Sequence, residues 1–217
     1  MLVTNKMASL FKKHVLEEKL SPYDALCHMK EEMPGQSIPC LSTWYRHVNA
    51  GDVGVRHGET PYHPNRKPKG PRPHPAMTVP DRLVLVDRKS RCHVIEKLEH
   101  VTQDGVVKAL KRTIRRKALG KARSVTTDNG CEFLDPKRIK AAVGCDVYCT
   151  RAKSSWEKGS VENCNRFVRR WYPKGTDFGK CTRADMHRLE RVINSIHRKL
   201  LGGLTAYEYD TAYARAA

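Results

Sequence analysis

The stretch SVTTDNGCEFLDPKRIKAAVGCDVYCT, residues 124–150, contains the pattern that decides the fold class. Residues 124–127 are rich in β-branched side chains and lead into the turn sequence Asp-Asn-Gly, which predicts a short strand followed by a turn. A short helix is predicted for 135–143 and a second strand for 146–150. Strands that alternate with helices in this way are typical of an α/β core.

The residues before this stretch predict a hairpin and a basic helix. Residues 83–86 are predicted to form a strand, residues 87–90 a turn, and an alternating pattern begins at Cys92. A helix is predicted for 104–118, with Val107, Leu110 and Ile114 facing the interior. Its other faces carry five cations without a nearby acid, which favours a polyanionic partner over a merely solvated surface. These cations are Lys108, Lys111, Arg112, Arg115 and Arg116.

Residues 21–51 predict two helices around a turn, and Ser21 is the expected cap of the first. The second helix is predicted to begin near Ser42 and to stop before Gly51. An ordinary helical hairpin has the same pattern, so the pattern by itself leaves DNA binding open. The outward side chains stand where a helix-turn-helix recognition helix contacts the major groove, and they are Thr43, Arg46, His47 and Asn49.

The composition favours a nucleic acid as the partner. Lys and Arg number 41 against 23 Asp and Glu, a formal charge of +18, and such a field attracts polyanions. A ribosomal type of basic protein is the competing interpretation.

Residues 61–80 hold seven of the twelve prolines and no acid, which predicts an extended basic linker. No apolar run is long enough for a membrane span, so we expect a cytoplasmic or nucleoid protein without a membrane partner.

The eight cysteines are scattered singly, with no Cys-x-x-Cys pair and no histidines at zinc-finger spacing. We therefore expect no zinc site. A further helix is predicted to begin at Ser160, and its buried stripe recurs at helical spacing at Val161, Cys164, Val168 and Trp171. A different face of this helix carries Glu162, Asn165, Arg166 and Arg169.

Asp128 and Glu162 are the candidate catalytic acids. Asp128 is expected to end a central strand and Glu162 to begin a later helix, so both can reach the carboxyl edge of one sheet. Each also has an ordinary explanation, because Asp-Asn-Gly makes a good turn and an acid in a first helical turn favourably meets the helix dipole. If the two acids share a site, their hard oxygen ligands select magnesium or manganese.

Two segments carry a family resemblance: SVTTDNGCEF (124–133) and SSWEKGSVENCNRFVRRWYPKGTDF (154–178). They resemble the catalytic core of DDE transposases of the insertion-sequence family numbered thirty. The 33 residues between Asp128 and Glu162 match the spacing in that family. The segments LVLVDRKSR and GGLTAYEYD (202–210) also look like the family's second and third strands and its C-terminal helix.

The resemblance implies a ribonuclease-H-like fold, shared with retroviral integrases, behind an N-terminal helix-turn-helix. It also implies two magnesium or manganese ions, double-stranded DNA of the element ends and of the target as partners, and a homo-oligomer in the active state. Asp128 corresponds to the family's second carboxylate and Glu162 to the third. The domains implied are a helix-turn-helix segment at 1–56, a linker at 57–81, a truncated integrase core at 82–180 and a C-terminal helical segment at 181–217.

One part of the family pattern is missing. The family's first catalytic Asp stands on a strand between the linker and the hairpin, and this chain passes directly from Pro80-Asp81 into the hairpin. Asp81 is the better geometric substitute, since Asp87 is expected in the turn at the far end of the strand. We therefore hypothesise an internally deleted copy. It is either an impaired transposase that cuts and joins DNA, or a catalytically dead DNA-binding remnant that represses transposition.

Overall fold

The computed structural model describes residues 3–61, 82–116, 122–150, 159–173 and 176–214. Two compact units divide the chain: Met1–Pro73 with Ser195–Ala217, and His74–Asn194. The described part is a mixed α/β structure, and it has no helix that is long and apolar enough to cross a membrane. The helices are α1 (Asn5–Lys12), α2 (Pro22–Glu32), α3 (Leu41–Ala50), α4 (Gln103–Arg115), α5 (Pro136–Val143), α6 (Gly159–Trp171), α7 (Arg183–Asn194) and α8 (Ala206–Ala214), and the strands are β1 (Arg82–Val86), β2 (His93–Lys97), β3 (Ser124–Thr127) and β4 (Asp146–Cys149).

The first unit is helical, and its core lies among α1, α2 and α3. The fully buried rings of Phe11 on α1 and Trp44 on α3 stack with their centroids 4.3 Å apart. The predicted cap is confirmed, because Ser21 Oγ accepts a hydrogen bond from the Asp24 N–H at the start of α2. Gly51 ends α3 at a φ of +80°, a conformation that glycine adopts without steric cost. Trp44 therefore fixes the buried side of α3.

The predicted hairpin is confirmed. β1 and β2 pair as antiparallel strands with Arg82 opposite Lys97 and Val86 opposite His93. Asp87 Oδ1 accepts hydrogen bonds from the N–H groups of Lys89 and Ser90, both at 2.7 Å, which fixes the turn. Asp87 thus has a structural role at the turn.

The inward face predicted for α4 is confirmed at Leu110 and wrong at Ile114. The buried residues are Val106, Ala109, Leu110 and Thr113, whereas Ile114 is 46% exposed. The hydroxyl of Thr113 donates to the Ala109 carbonyl at 3.1 Å, so this polar side chain is buried without an unpaired group. That local bond explains how Thr113 occupies the interior position.

The prediction that the cations of α4 have no acid nearby is also wrong for two of them. Arg116 Nε donates to Glu96 at 2.8 Å, and its Nη2 donates to Glu190 of α7, also at 2.8 Å. Arg112 Nη2 donates to the Lys97 carbonyl at 3.0 Å, and its Nε lies 3.6 Å from the Glu96 carboxylate. The charges of Arg112 and Arg116 therefore stabilise the interior of this unit, whereas Lys108, Lys111 and Arg115 are exposed.

Side chains of α7 cover the outer edge of β2. Asn194 Oδ1 accepts from the His93 N–H and Asn194 Nδ2 donates to the His93 carbonyl, both at 2.8 Å. Glu190 Oε2 accepts from the Ile95 N–H at 2.8 Å. A bare strand edge exposes unpaired backbone groups that invite association with other chains. In this molecule, α7 satisfies those groups from within the same unit.

Replacing Asn194 by alanine is expected to lower the free energy of unfolding by about 2–4 kcal/mol, because two buried backbone groups of His93 lose their partners. Asn163 on α6 is exposed, and its replacement by alanine is the matched control, with an expected effect within about 0.5 kcal/mol. Urea denaturation of both variants measures the difference. Equal midpoints for Asn194→Ala and Asn163→Ala would show that the edge contacts contribute little.

The second sheet consists of β3 and β4, which run parallel with α5 between them in sequence. In the described residues, the hairpin and this pair form two separate two-stranded sheets. α4 packs against the hairpin and against α5, since its Val106, Ala109 and Leu110 share one apolar cluster with Leu83 of β1 and Ile139 of α5. The predicted strands and α5 are thus confirmed to within a residue or two at each end.

Candidate functional site

Asp128 directly follows β3 at the carboxyl edge of the parallel pair. Thr127 lies opposite Cys149 in the register, and the Thr150 N–H donates to the Thr127 carbonyl at 2.9 Å. Asn129 Nδ2 donates to the Thr150 carbonyl at 3.0 Å, which holds the two strand ends together. Asp128 is half-buried, and its Oδ1 accepts from the Gly130 N–H at 3.3 Å. The loop therefore fixes Asp128 at the edge where parallel α/β sheets bind ligands.

A second carboxylate, that of Glu132, lies at the same turn, and sequence reasoning did not single it out. A Cβ atom added at Gly130 would be 2.6 Å from Glu132 Oε2, so the Glu132 carboxylate lies directly over the Gly130 backbone. Only glycine fits at this position without displacing that side chain. In the sequence, the only indication linking Glu132 to the site was its position four residues after Asp128.

The helix α6 carries the other candidate residues of this unit. Cys164 and Val168 are fully buried as predicted, Phe167 joins them, and Trp171 is half-buried. Arg170 lies over the Phe167 ring, 4.5 Å from its centroid. Arg166 and Arg169 are exposed, and Asn165 is half-buried. The two exposed arginines are three residues apart and therefore neighbours on one helix face.

Glu162 lies in the first turn of α6, but its side chain lies outside the part of the chain that the structure describes. Asp81 also falls outside the described residues. The meeting of Asp128 and Glu162 in one site, and any contribution of Asp81, therefore remain predictions.

Four outward residues were predicted on α3. Arg46 and Asn49 are exposed as predicted, while Thr43 and His47 are half-buried. His47 Nδ1 lies 2.9 Å from Asp52 Oδ2, so its ring is oriented by a carboxylate after the helix. Thr43 Oγ1 lies 3.4 Å from the Cys40 sulfur. Within five residues, α3 thus carries the guanidinium of Arg46, the imidazole of His47 and the hydroxyl of Thr43.

Cys40 at the N-terminus of α3 is expected to be a reactive thiol. Hydrogen bonds from the side chains of Ser42, at 3.1 Å, and Thr43 lower the pKa of Cys40 to about 6, and a helix N-terminus favours a thiolate. We expect the rate of alkylation by iodoacetamide at Cys40, followed by mass spectrometry, to reach half its maximum near this pH.

The double variant Ser42→Ala with Thr43→Ala serves as the control, because removal of both hydroxyl groups should move the inflection of alkylation to higher pH. An inflection that stays in place in this variant would contradict the assignment. A DNA duplex that binds α3 should also slow alkylation of Cys40, since the thiol lies at the end of that helix.

Comparison with known proteins confirms the predicted resemblance. The chain is 36% identical over 93 residues to the transposase for insertion sequence element IS4351 of Bacteroides fragilis, 43% of this chain and 28% of the relative. It is 32% identical over 127 residues to the putative integrase ORF3 of Spiroplasma virus SpV1-R8A2 B, 58% of this chain and 39% of the relative. It is also 30% identical over 117 residues to the transposase InsI of insertion sequence element IS30A of Escherichia coli K12, 54% of this chain and 30% of the relative.

The chain matches about a third of the length of these curated relatives. No protein-family model matches it. The similarity therefore covers about half of this chain and a smaller share of each relative.

Proposed function

We propose that this chain is a DNA-binding protein of the transposase and integrase type, with a ribonuclease-H-like unit and a helix-turn-helix unit. The observation that carries the proposal is the position of Asp128 at the carboxyl edge of the β3–β4 pair, within a chain similar to three proteins named as transposases or integrase. The reaction proposed is phosphodiester cleavage followed by strand transfer. Its substrates are the ends of the element and the target DNA.

The donors around Asp128 fit a hard divalent cation. The Asp128 carboxylate is half-buried, and the Glu132 carboxylate lies over Gly130 in the same turn. Both residues offer oxygen donors of the kind that magnesium and manganese prefer. Asp128 and Glu162 are the residues proposed to hold the ion. A pair of such ions, when bound, activates the attacking oxygen and stabilises the leaving oxygen in phosphodiester cleavage.

The basic residues are proposed to bind and orient the DNA. Arg166 and Arg169 present two guanidinium groups on one exposed face of α6, and guanidinium groups bind phosphate in a bidentate manner. Asn165 on the same helix supplies an amide. On α3, the residues Thr43, Arg46 and His47 are proposed to contact the terminal repeats, with base edges read in the major groove.

The test is incubation of the purified chain with Mn²⁺ and a labelled duplex that ends in the terminal repeat flanking its gene. An active enzyme binds the duplex and nicks it, and removal of the metal with a chelator abolishes the nicks while binding persists. A scrambled duplex controls for sequence recognition. Failure to bind either duplex at low salt would overturn the proposal as a whole.

A second function, that of a DNA-binding remnant, is favoured by one observation. In the described residues, β1 and β3 each pair with a strand on one side only, and the sequence before the hairpin contains no match to the strand on which the family's first acid is expected. A remnant would occupy the terminal repeats and repress an intact copy. Sequence-specific binding with no nicks in Mn²⁺ would establish this function instead of catalysis.

Replacing Arg166 and Arg169 together by glutamine is expected to reduce the salt dependence of DNA binding. Each phosphate contact contributes about 0.9 to the slope of log affinity against log salt, so the loss of two contacts lowers that slope by roughly 1.8. Fluorescence anisotropy over a salt series measures it. Arg188 on α7 is 72% exposed, and Arg188→Gln is the matched control. If the unmodified chain, the double variant and Arg188→Gln all had the same slope of log affinity against log salt, α6 would not belong to the DNA interface.

A further inference from the structure

Three potential metal ligands, Asp24, His28 and His197, meet within the helical unit of residues 1–73 and 195–217. Asp24 and His28 are four residues apart on α2, so they share one face of the helix. His197 comes from the C-terminal segment, 173 residues after Asp24. One ligand atom from each residue lies within 4.8 Å of the other two. None of the residues proposed to act in catalysis or DNA binding belongs to this cluster.

The distances suit a single ion. Asp24 Oδ1 lies 2.8 Å from His197 Nδ1 and 3.8 Å from His28 Nε2. Two ligand atoms that each lie about 2 Å from a tetrahedral zinc ion are about 3.3 Å apart. The observed separations lie on either side of that value, so small side-chain rotations are sufficient to place an ion among the three atoms.

The Glu31 carboxylate lies near the second nitrogen of each imidazole. His28 Nδ1 lies 3.7 Å from Glu31 Oε2, and His197 Nε2 lies 3.4 Å from Glu31 Oε1. A histidine that binds a metal through one nitrogen usually donates from the other nitrogen to a carboxylate, which fixes its tautomer and orientation. Glu31 is therefore placed as a positioning residue for both histidines.

Asp24 itself has an unexplained oxygen. Its side chain is fully buried, and Oδ1 accepts from the backbone N–H of His197 at 2.7 Å as well as facing the His197 ring. Oδ2 is buried and has no hydrogen-bond partner. Buried carboxylate oxygens normally have partners. A plain ion pair between Asp24 and His197 accounts for Oδ1 only, whereas a cation beside this carboxylate also accounts for Oδ2.

From these contacts we propose that Asp24, His28 and His197 form a binding site for a divalent transition metal of the zinc class, which ties the C-terminal segment to α2. Two imidazoles and one carboxylate suit zinc and exclude magnesium as the preferred ion. The site goes beyond the function proposed for Asp128 and Glu162 and does not depend on it.

The test uses zinc alone as the probe. The full chain, carrying Asp128→Asn to remove the proposed magnesium ligand, is stripped with a chelator, loaded with Zn²⁺ and dialysed, and the bound metal is measured by elemental analysis. About one zinc per chain is expected. Glu31→Gln removes the carboxylate beside both histidines and should weaken zinc affinity roughly 10–100-fold. His28→Asn and His197→Asn each remove a ligand and should weaken zinc affinity by at least as much.

The matched control is His100→Asn, because His100 is exposed and lies in the other compact unit. This variant should retain zinc at the unmodified level. His28 is 32% exposed, so His28→Asn is expected to keep the fold, which circular dichroism checks. The proposal would be overturned if the protein, after stripping, reloading with Zn²⁺ and dialysis, were folded but held no zinc. It would also be overturned if His28→Asn and His197→Asn retained as much zinc as the chain with neither substitution.

Discussion

Replacing Asp128 by asparagine is expected to lower manganese-dependent strand cleavage by roughly 100-fold or more. The amide keeps the shape of the side chain and an oxygen that can accept the Gly130 N–H, which now lies 3.3 Å from Oδ1, but it removes the negative charge that holds the ion. Metal ions contribute several kcal/mol to such reactions, and each 1.4 kcal/mol is tenfold in rate. Single-turnover cleavage of a labelled duplex measures the loss.

The same variant should keep its DNA affinity, because the arginines proposed to contact phosphate are unchanged. Calorimetric titration with Mn²⁺ provides a second measurement that does not require turnover, and its heat should decrease in Asp128→Asn. Asp135 is the matched control, since its carboxylate caps α5 by accepting the Arg138 N–H at 3.1 Å, and Asp135→Asn should leave cleavage unchanged. Manganese binding that is identical in Asp128→Asn and the unmodified chain would remove Asp128 from the metal site.

Replacing Trp44 by alanine is expected to lower the free energy of unfolding of the helical unit by about 3–5 kcal/mol. The ring is fully buried and stacks on Phe11 at 4.3 Å, so its removal leaves a cavity between α1 and α3. Because a typical domain has only about 5–15 kcal/mol of stability, α3 should lose its fixed position. Thermal denaturation followed by circular dichroism measures the effect, and DNA binding should weaken together with it.

The variant Trp44→Phe distinguishes the contribution of aromatic packing to stability from that of the indole nitrogen. Trp44 Nε1 is buried without a hydrogen-bond partner, so phenylalanine removes an unsatisfied donor while keeping an aromatic ring against Phe11. The expected cost is below about 1.5 kcal/mol. If Trp44→Phe were as unstable as Trp44→Ala, the cavity explanation for α3 would be wrong.

Much of the local structure was predictable from short segments. The turn at 128–130, the cap at Ser21 and the end of α3 at Gly51 depend on neighbours within four residues, so the interacting partners stand close together in the sequence. The strand at 124–127 was predicted from its β-branched residues, although its pairing partners are residues 146–149. The family resemblance was also predictable, because the second acidic motif, at 154–178, follows the first at the expected spacing. The sequence before the hairpin contains no match to the family's first strand, and the deletion inferred from that difference stays a prediction.

Hydrophobic periodicity was less reliable where a polar residue replaces an apolar one in the interior. On α4, Ile114 is more apolar than Thr113, yet Thr113 is buried because its hydroxyl bonds to the Ala109 carbonyl one turn earlier. The helix and the burial of Leu110 were predicted correctly, but the burial of Ile114 was not. Glu132 was not identified from the sequence for a different reason. Its position over Gly130 depends on the path of the backbone after the turn.

The sequence by itself determined the turns and the helix caps, because these depend on residues a few positions apart in the chain. It also determined the resemblance that gives Asp128 and Glu162 their proposed roles, because that resemblance rests on two continuous motifs. Only the tertiary structure decided how the charges are paired. Arg116 meets Glu190 across 74 residues, and Asp24 meets His197 across 173 residues. Such pairs form because burial requires each charge to find a partner, and which partner it finds depends on the folded arrangement of distant segments.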